Sequence, residues 1–124
     1  MTRKPVRVWL AWCLCTVLVL ITPGKLPAHA ILVEASPQSG STVSGSEVPI
    51  RLRFNVRVDG ERSRIAIAAA PKGTTKPLTL DKQTTPDVLT AKATGLCAGK
   101  YTLEWQVLAA DGHITRGELS FTVQ

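Results

Sequence analysis

Val48, Ile50, Leu52, Phe54 and Val56 are apolar, and Pro49, Arg51, Arg53, Asn55 and Arg57 fall between and after them. Successive side chains on a strand point to opposite faces, so this period of two predicts a half-buried strand over 48–56 with a basic outer face. Proline near the start of such a strand is tolerated. The same alternation predicts strands at 31–35, 64–69, 78–80, 88–92, 101–109 and 118–123, seven in all. No segment carries a convincing amphipathic helical stripe.

The punctuation between these segments is mostly Gly, Pro, Ser, Thr and Asp: residues 36–46, Asp59-Gly60, Pro71-Lys72-Gly73 and Ala98-Gly99. Short strands separated by such turn formers predict an all-β fold, an antiparallel sandwich or barrel. Phe54, Tyr101, Leu103, Trp105, Val107, Leu119 and Phe121 are its expected core. Trp105 shares its alternation with Tyr101, Leu103 and Val107, so it is expected to bury area rather than to offer a stacking platform for sugars or bases. Arg51, Arg53 and Arg57 are expected to form a solvated edge that discourages aggregation, rather than a dock for an acidic partner.

The first residues break the pattern. Arg3, Lys4 and Arg7 precede an almost wholly apolar run over 8–21, and Pro23-Gly24 then leads to small residues at Ala28 and Ala30. That order is the one found in a secretory signal peptide. The apolar run is shorter than the roughly 20 residues a membrane-spanning helix needs. The expected organisation is therefore a signal peptide followed by one domain, with two cuts open: after Ala30, where Ala28-His29-Ala30 forms an A-x-A signal, and after Ala28, which puts Leu26 where a smaller residue is commoner. Cys13 and Cys15 follow Trp12 and Leu14 rather than small residues, so a lipidated cysteine is not expected.

Cleavage changes the charge. The whole chain carries a formal +6, but four of its 15 basic residues lie in the leader, leaving 11 against all 9 acidic ones, or about +2. Scattered charges and few aromatics argue against nucleic acid as a partner, because that function needs a basic patch with stacking residues. Cys97 is the one thiol after the leader, so no intrachain disulfide forms, and burial as a small apolar residue is its expected role.

The chemistry lies in few residues. His29 and His113 are the two histidines. Asp111 and His113 are two apart, with Gly112 free to turn between them, so carboxylate and imidazole can converge. Alone, the tripeptide reads as an ordinary turn that links two strands, in which Asp111 bonds its own backbone and His113 is exposed. A cut between Ala28 and His29 would add a free amine beside an imidazole. Amine, two imidazoles and a carboxylate suit copper(II) in a tetragonal field, with zinc or nickel as weaker rivals. Copper(I) prefers thioether or thiolate donors, and no methionine follows Met1.

These residues carry a resemblance. His29-Ala30 with Leu32, Ser36-Pro37 with Gly40, Pro49 with Leu52 and Phe54, then Gly99, Tyr101, Trp105, Asp111-Gly112-His113, Gly117, Phe121 and Val123 together resemble the CopC family of periplasmic copper-resistance proteins. The likeness covers nearly the whole of 29–124 and is most specific at its C-terminal end. It implies a seven-stranded, Greek-key β-sandwich or barrel of cupredoxin-like or immunoglobulin-like type. It also implies a periplasmic copper(II) site formed by His29, Asp111 and His113, and it favours the cut after Ala28, which gives a signal peptide over 1–28 and a domain over 29–124. Members often work beside a CopD-type inner-membrane protein, and a monomer is expected. Some members carry a second, methionine-rich copper(I) site, which this chain has no residues to build. Members often show a further histidine two residues after the first, where this chain has Ile31.

The expected function is thus sequestration or delivery of one copper(II) ion, without catalysis. Two alternatives belong to other classes. One is a non-catalytic immunoglobulin-like module that binds protein and no metal; the other is a copper-dependent oxidative enzyme, which would need an open coordination position and a broad substrate surface. The chain after the leader holds no Ser/His/Asp nucleophile set, phosphate-cradling glycine loop or Cys-x-x-Cys zinc motif.

Overall fold

A computed structural model describes residues 29–71 and 73–124; the expected signal segment lies outside them. The strands are β1 (Leu32–Ser36), β2 (Thr42–Val43), β3 (Val48–Phe54), β4 (Val58–Ala69), β5 (Lys76–Leu78), β6 (Val88–Ala93), β7 (Gly99–Ala109) and β8 (Ile114–Val123). They form a three-stranded sheet in the order β1-β3-β6 and a five-stranded sheet in the order β2-β8-β7-β4-β5. The chain changes sheet repeatedly, so neighbours in space are often distant in sequence.

Alternation decides which side chains meet. On β3, Val48, Ile50, Leu52 and Phe54 are buried, and they face Ile65 and Ile67 of β4, Leu103 and Val107 of β7, and Leu119, Phe121 and Val123 of β8 in one core. Phe54 and Phe121 are fully enclosed, and each such side chain contributes about 1.5–3 kcal/mol of transfer free energy. An isolated bridge between Leu80 and Ala91 links the two sheets at one side. The all-β sandwich expected from the alternation is the fold observed.

Among the described residues each of the seven expected strands overlaps an observed one, 78–80 meeting β5 only at Leu78, and an eighth, β2, lies inside the segment read as a turn. Its two residues pair parallel with Thr122 and Val123, a contact with no local pattern to announce it. Asp59-Gly60 does not end a strand either. It lies within β4, where the pairing with β7 shifts register between Asp59 and Arg64. The Asp59 carboxylate accepts the backbone N–H groups of Glu61 and Arg62, and the Ser63 hydroxyl accepts the N–H of Leu108. Turn chemistry here builds a bulge instead of a turn.

Two further expectations are corrected. Strand β3 is the centre of its sheet, between β1 and β6, and not a solvated edge. Its arginines are drawn to β1: Arg51 and Arg53 lie 2.7 and 3.1 Å from the carboxylate of Glu34. These two guanidiniums, Arg53 by hydrogen bonding first and Arg51 by charge, hold the Glu34 carboxyl below its ordinary value of 4.5. Cys97 is exposed rather than buried. Its backbone is held on both sides by Tyr101, whose hydroxyl accepts the Cys97 N–H at 3.0 Å and donates to the Cys97 carbonyl at 2.9 Å, which fixes the residue at the surface.

Trp105 is half-buried against the core rather than enclosed by it. Its partner across the β7–β8 ladder is Gly117. A Cβ added there would overlap the indole Cζ2, so the ring lies directly on the glycine. Tyr101 is likewise half-buried, and it stacks on Phe121 with ring centroids 6.0 Å apart.

Candidate metal centre

Three segments meet at one end of the sandwich: residues 29–31 before β1, the connection 55–57 between β3 and β4, and the loop that joins β7 to β8 and carries Asp111 and His113. The loop is the local part. The Ala109 N–H donates to the carbonyl of His113 at 2.8 Å and the Gly112 N–H to the carbonyl of Ala109 at 2.9 Å. Gly112 has φ 88°, a left-handed conformation that costs other residues about 1–2 kcal/mol. A three-residue hairpin loop with glycine in that position is a common way to join twisted strands.

The loop fixes its own side chains. Asp111 Oδ1 accepts the backbone N–H of His113 at 3.0 Å, and its Oδ2 lies 2.9 Å from His113 Nδ1. That contact places a proton on Nδ1 and leaves Nε2 of His113 as the nitrogen free to accept or ligate. The Asp111 side chain is 27% exposed and that of His113 53%, so the imidazole stands toward solvent with the carboxylate behind it. The Ala110 N–H donates to the Arg57 carbonyl at 3.0 Å, tying the loop to the β3–β4 connection.

His29 comes from the other side. Ala30 is 1% exposed, its methyl part of the core, while His29 is exposed just outside it. The rings of His29 and His113 stand edge to face, 5.5 Å between centroids and 62° between planes. Two imidazoles bound to one ion through nitrogens at about 2 Å hold their centroids roughly 4.5–6.3 Å apart, from cis to trans. The observed separation lies inside that range.

The three residues singled out in the sequence are thus brought together, although 82 positions separate His29 from Asp111. They do not yet point at one centre. Among the described residues, no three His, Cys, Asp or Glu side chains form a ready metal-holding group, and the Asp111 carboxylate lies against His113. The fourth donor, an α-amine, exists only in a chain that begins at His29.

Asn55, not singled out in the sequence, pairs with the segment that follows His29. The Ile31 N–H donates to the side-chain oxygen of Asn55 at 2.7 Å, and the Asn55 N–H donates back to the Ile31 carbonyl at 2.9 Å. Asn55 reads only as a polar position on an alternating strand; pairing across 24 residues leaves no local signal.

A two-sheet β-sandwich with two imidazoles and a carboxylate gathered at one end defines the class: a small β domain with a candidate metal-binding rim. Residues 32–124 match the family model of the CopC domain. Protein YobA of Escherichia coli (strain K12) is 32% identical over 108 residues, covering 85% of this chain and 86% of that protein. The crystal structure of CopC from Methylosinus trichosporium OB3b matches with a TM-score of 0.68 and 35% identity, over 77% of this chain and 94% of that one. PcoC, a methionine-rich copper resistance protein from Escherichia coli, shares the fold with a TM-score of 0.64 at 23% identity, over 78% of this chain and 100% of that one. The chain belongs to the CopC domain family. Asp111 and His113 lie inside the matched residues, and His29 lies just ahead of them.

Proposed function

We propose that this chain is exported to the periplasm, begins at His29 after cleavage, and binds one copper(II) ion for sequestration or for delivery to a CopD-type membrane protein. The convergence of the His29 ring on the Asp111–His113 loop, 5.5 Å from ring to ring, carries the reading. His29 would contribute its amine and ring nitrogen, His113 its Nε2, and Asp111 the carboxylate. The Asp111 contact with Nδ1 is the kind that orients a ligating histidine and raises its basicity. For Asp111 to reach the ion directly, that contact has to open.

Family membership supports copper as the ion, and the donor set supports the oxidised form. The immunoglobulin-like module without metal leaves the meeting of two imidazoles and a carboxylate without a role. The reading is tested by the intact mass of the protein isolated from its host, followed by copper titration. It expects a chain that starts at His29 and binds one copper(II); a chain that starts at Ile31 and binds none contradicts it.

A further inference from the structure

Strand β1 pairs with β3 from Leu32 opposite Phe54 to Ser36 opposite Arg51, with a register shift between Leu32 and Glu34. The next antiparallel pair at the Leu32 end is Ile31 with Asn55. In a regular hydrogen-bonded pair the two residues exchange backbone N–H and carbonyl groups. Here one of those bonds is made, from the Asn55 N–H to the Ile31 carbonyl. The return bond is not backbone to backbone: the Ile31 N–H goes to Asn55 Oδ1, at 2.7 Å.

Beyond Asn55 the chain leaves the sheet. It crosses through Arg57, whose carbonyl is taken by Ala110, and enters β4 at Val58, whose N–H donates to the Pro86 carbonyl. The amide oxygen of Asn55 supplies the acceptor for Ile31 at the point where the chain turns off. The same connection therefore holds both halves of the candidate site: Asn55 holds the segment carrying His29, and Arg57 holds the loop carrying His113.

We infer that Asn55 is a positioning residue for the copper(II) site, its side-chain amide fixing Ile31 so that His29 is held over His113. The inference rests on the copper reading given above. With Ile31 clamped and the Ala30 methyl in the core, His29 is the first residue with freedom, and its ring need only rotate to meet the ion. Ligand groups perform well when a supporting shell fixes their geometry, and loss of such a partner commonly lowers metal affinity about 10–100-fold. An alanine at 55 keeps the backbone bond and removes the amide clamp; an aspartate keeps an acceptor oxygen within reach of the Ile31 N–H.

The test compares the wild-type chain beginning at His29 with its Asn55→Ala and Asn55→Asp variants, by copper(II) competition titration and by electron paramagnetic resonance of the copper-loaded proteins. The expected result is a roughly 10–100-fold weaker site in Asn55→Ala, with a changed nitrogen superhyperfine pattern, and recovery of the wild-type spectrum in Asn55→Asp. Backbone amide exchange of the metal-free wild type supplies a reading independent of any variant: the Ile31 amide is protected relative to an unstructured peptide. A wild-type chain that binds copper while Asn55→Ala matches it in affinity and spectrum overturns the inference and leaves the copper reading intact. A rapidly exchanging Ile31 amide overturns it too, even if Asn55→Ala fails to fold. A wild-type chain that binds no copper overturns the copper reading and the inference with it.

Discussion

Asp111, Gly112 and His113 show how much one tripeptide can determine. The carboxylate closes onto its neighbour two residues on, in both backbone and ring, and Gly112 accepts the positive φ that makes this possible. Nothing lies within 4 Å of a Cβ built on Gly112, so alanine there meets a conformational cost and no clash. Gly112→Ala is expected to lower stability by about 1–2 kcal/mol, several degrees in melting temperature for a domain of this size, and to loosen the seat of His113. Thermal unfolding followed by circular dichroism checks this; an unaltered melting temperature would show that the loop relaxes into another turn. The Asp-Gly-His turn is legible in the sequence because its bonds span two or three residues. The Asn55 clamp is not, because its partner stands 24 positions away.

Within the strands, alternation predicts the faces well and the boundaries poorly. On β3, Val48, Ile50, Leu52 and Phe54 are buried as the period of two assigns them, and on β7 Leu103 and Val107 are buried with Trp105 half-buried between them. The errors arise where turn formers sit inside a ladder, as Asp59 and Gly60 do in the β4 bulge, and where Gly117 continues β8 beneath an indole. That indole gives a second prediction. Gly117→Ala forces Trp105 aside and should cost about 1–3 kcal/mol, as overpacking does, with a red shift in tryptophan fluorescence. A chain lacking the leader has Trp105 as its one tryptophan, so the emission reports this ring directly. The β1–β3 pair gives a third. Since the folded carboxyl of Glu34 titrates below 4.5, its contribution is present in full at pH values well above 4.5 and is lost as pH falls through the depressed folded value. Wild type and Glu34→Gln should therefore differ slightly in stability near neutrality, less at high salt, and converge in acid. A gap that widens toward low pH would refute the pairing. The group is exposed, and exposed pairs are weak.

At the scale of the molecule, the fold brings together what the chain keeps apart. His29 precedes β1, His113 precedes β8, and the two meet because β1 and β7 both expose the same end of the sandwich, bridged by residues 55–57. The fold class is legible from strand patterning alone, and the proposal that His29, Asp111 and His113 share one site comes from resemblance. Their meeting is a property of topology, which no spacing in the sequence encodes. If that end holds copper, loading must raise the melting temperature, since an ion that binds the native state and not the unfolded chain stabilises it in proportion to the logarithm of its concentration. The most direct measurement is copper(II) titration of the chain beginning at His29, read by electron paramagnetic resonance beside a chain beginning at Ile31 and a His113→Ala variant. Saturation is expected at one copper per chain, with a tetragonal, nitrogen-coupled spectrum that both altered proteins lose. A chain beginning at His29 that binds no copper, or a chain beginning at Ile31 that binds it with the same affinity and the same spectrum, contradicts a copper(II) site at this end of the sandwich.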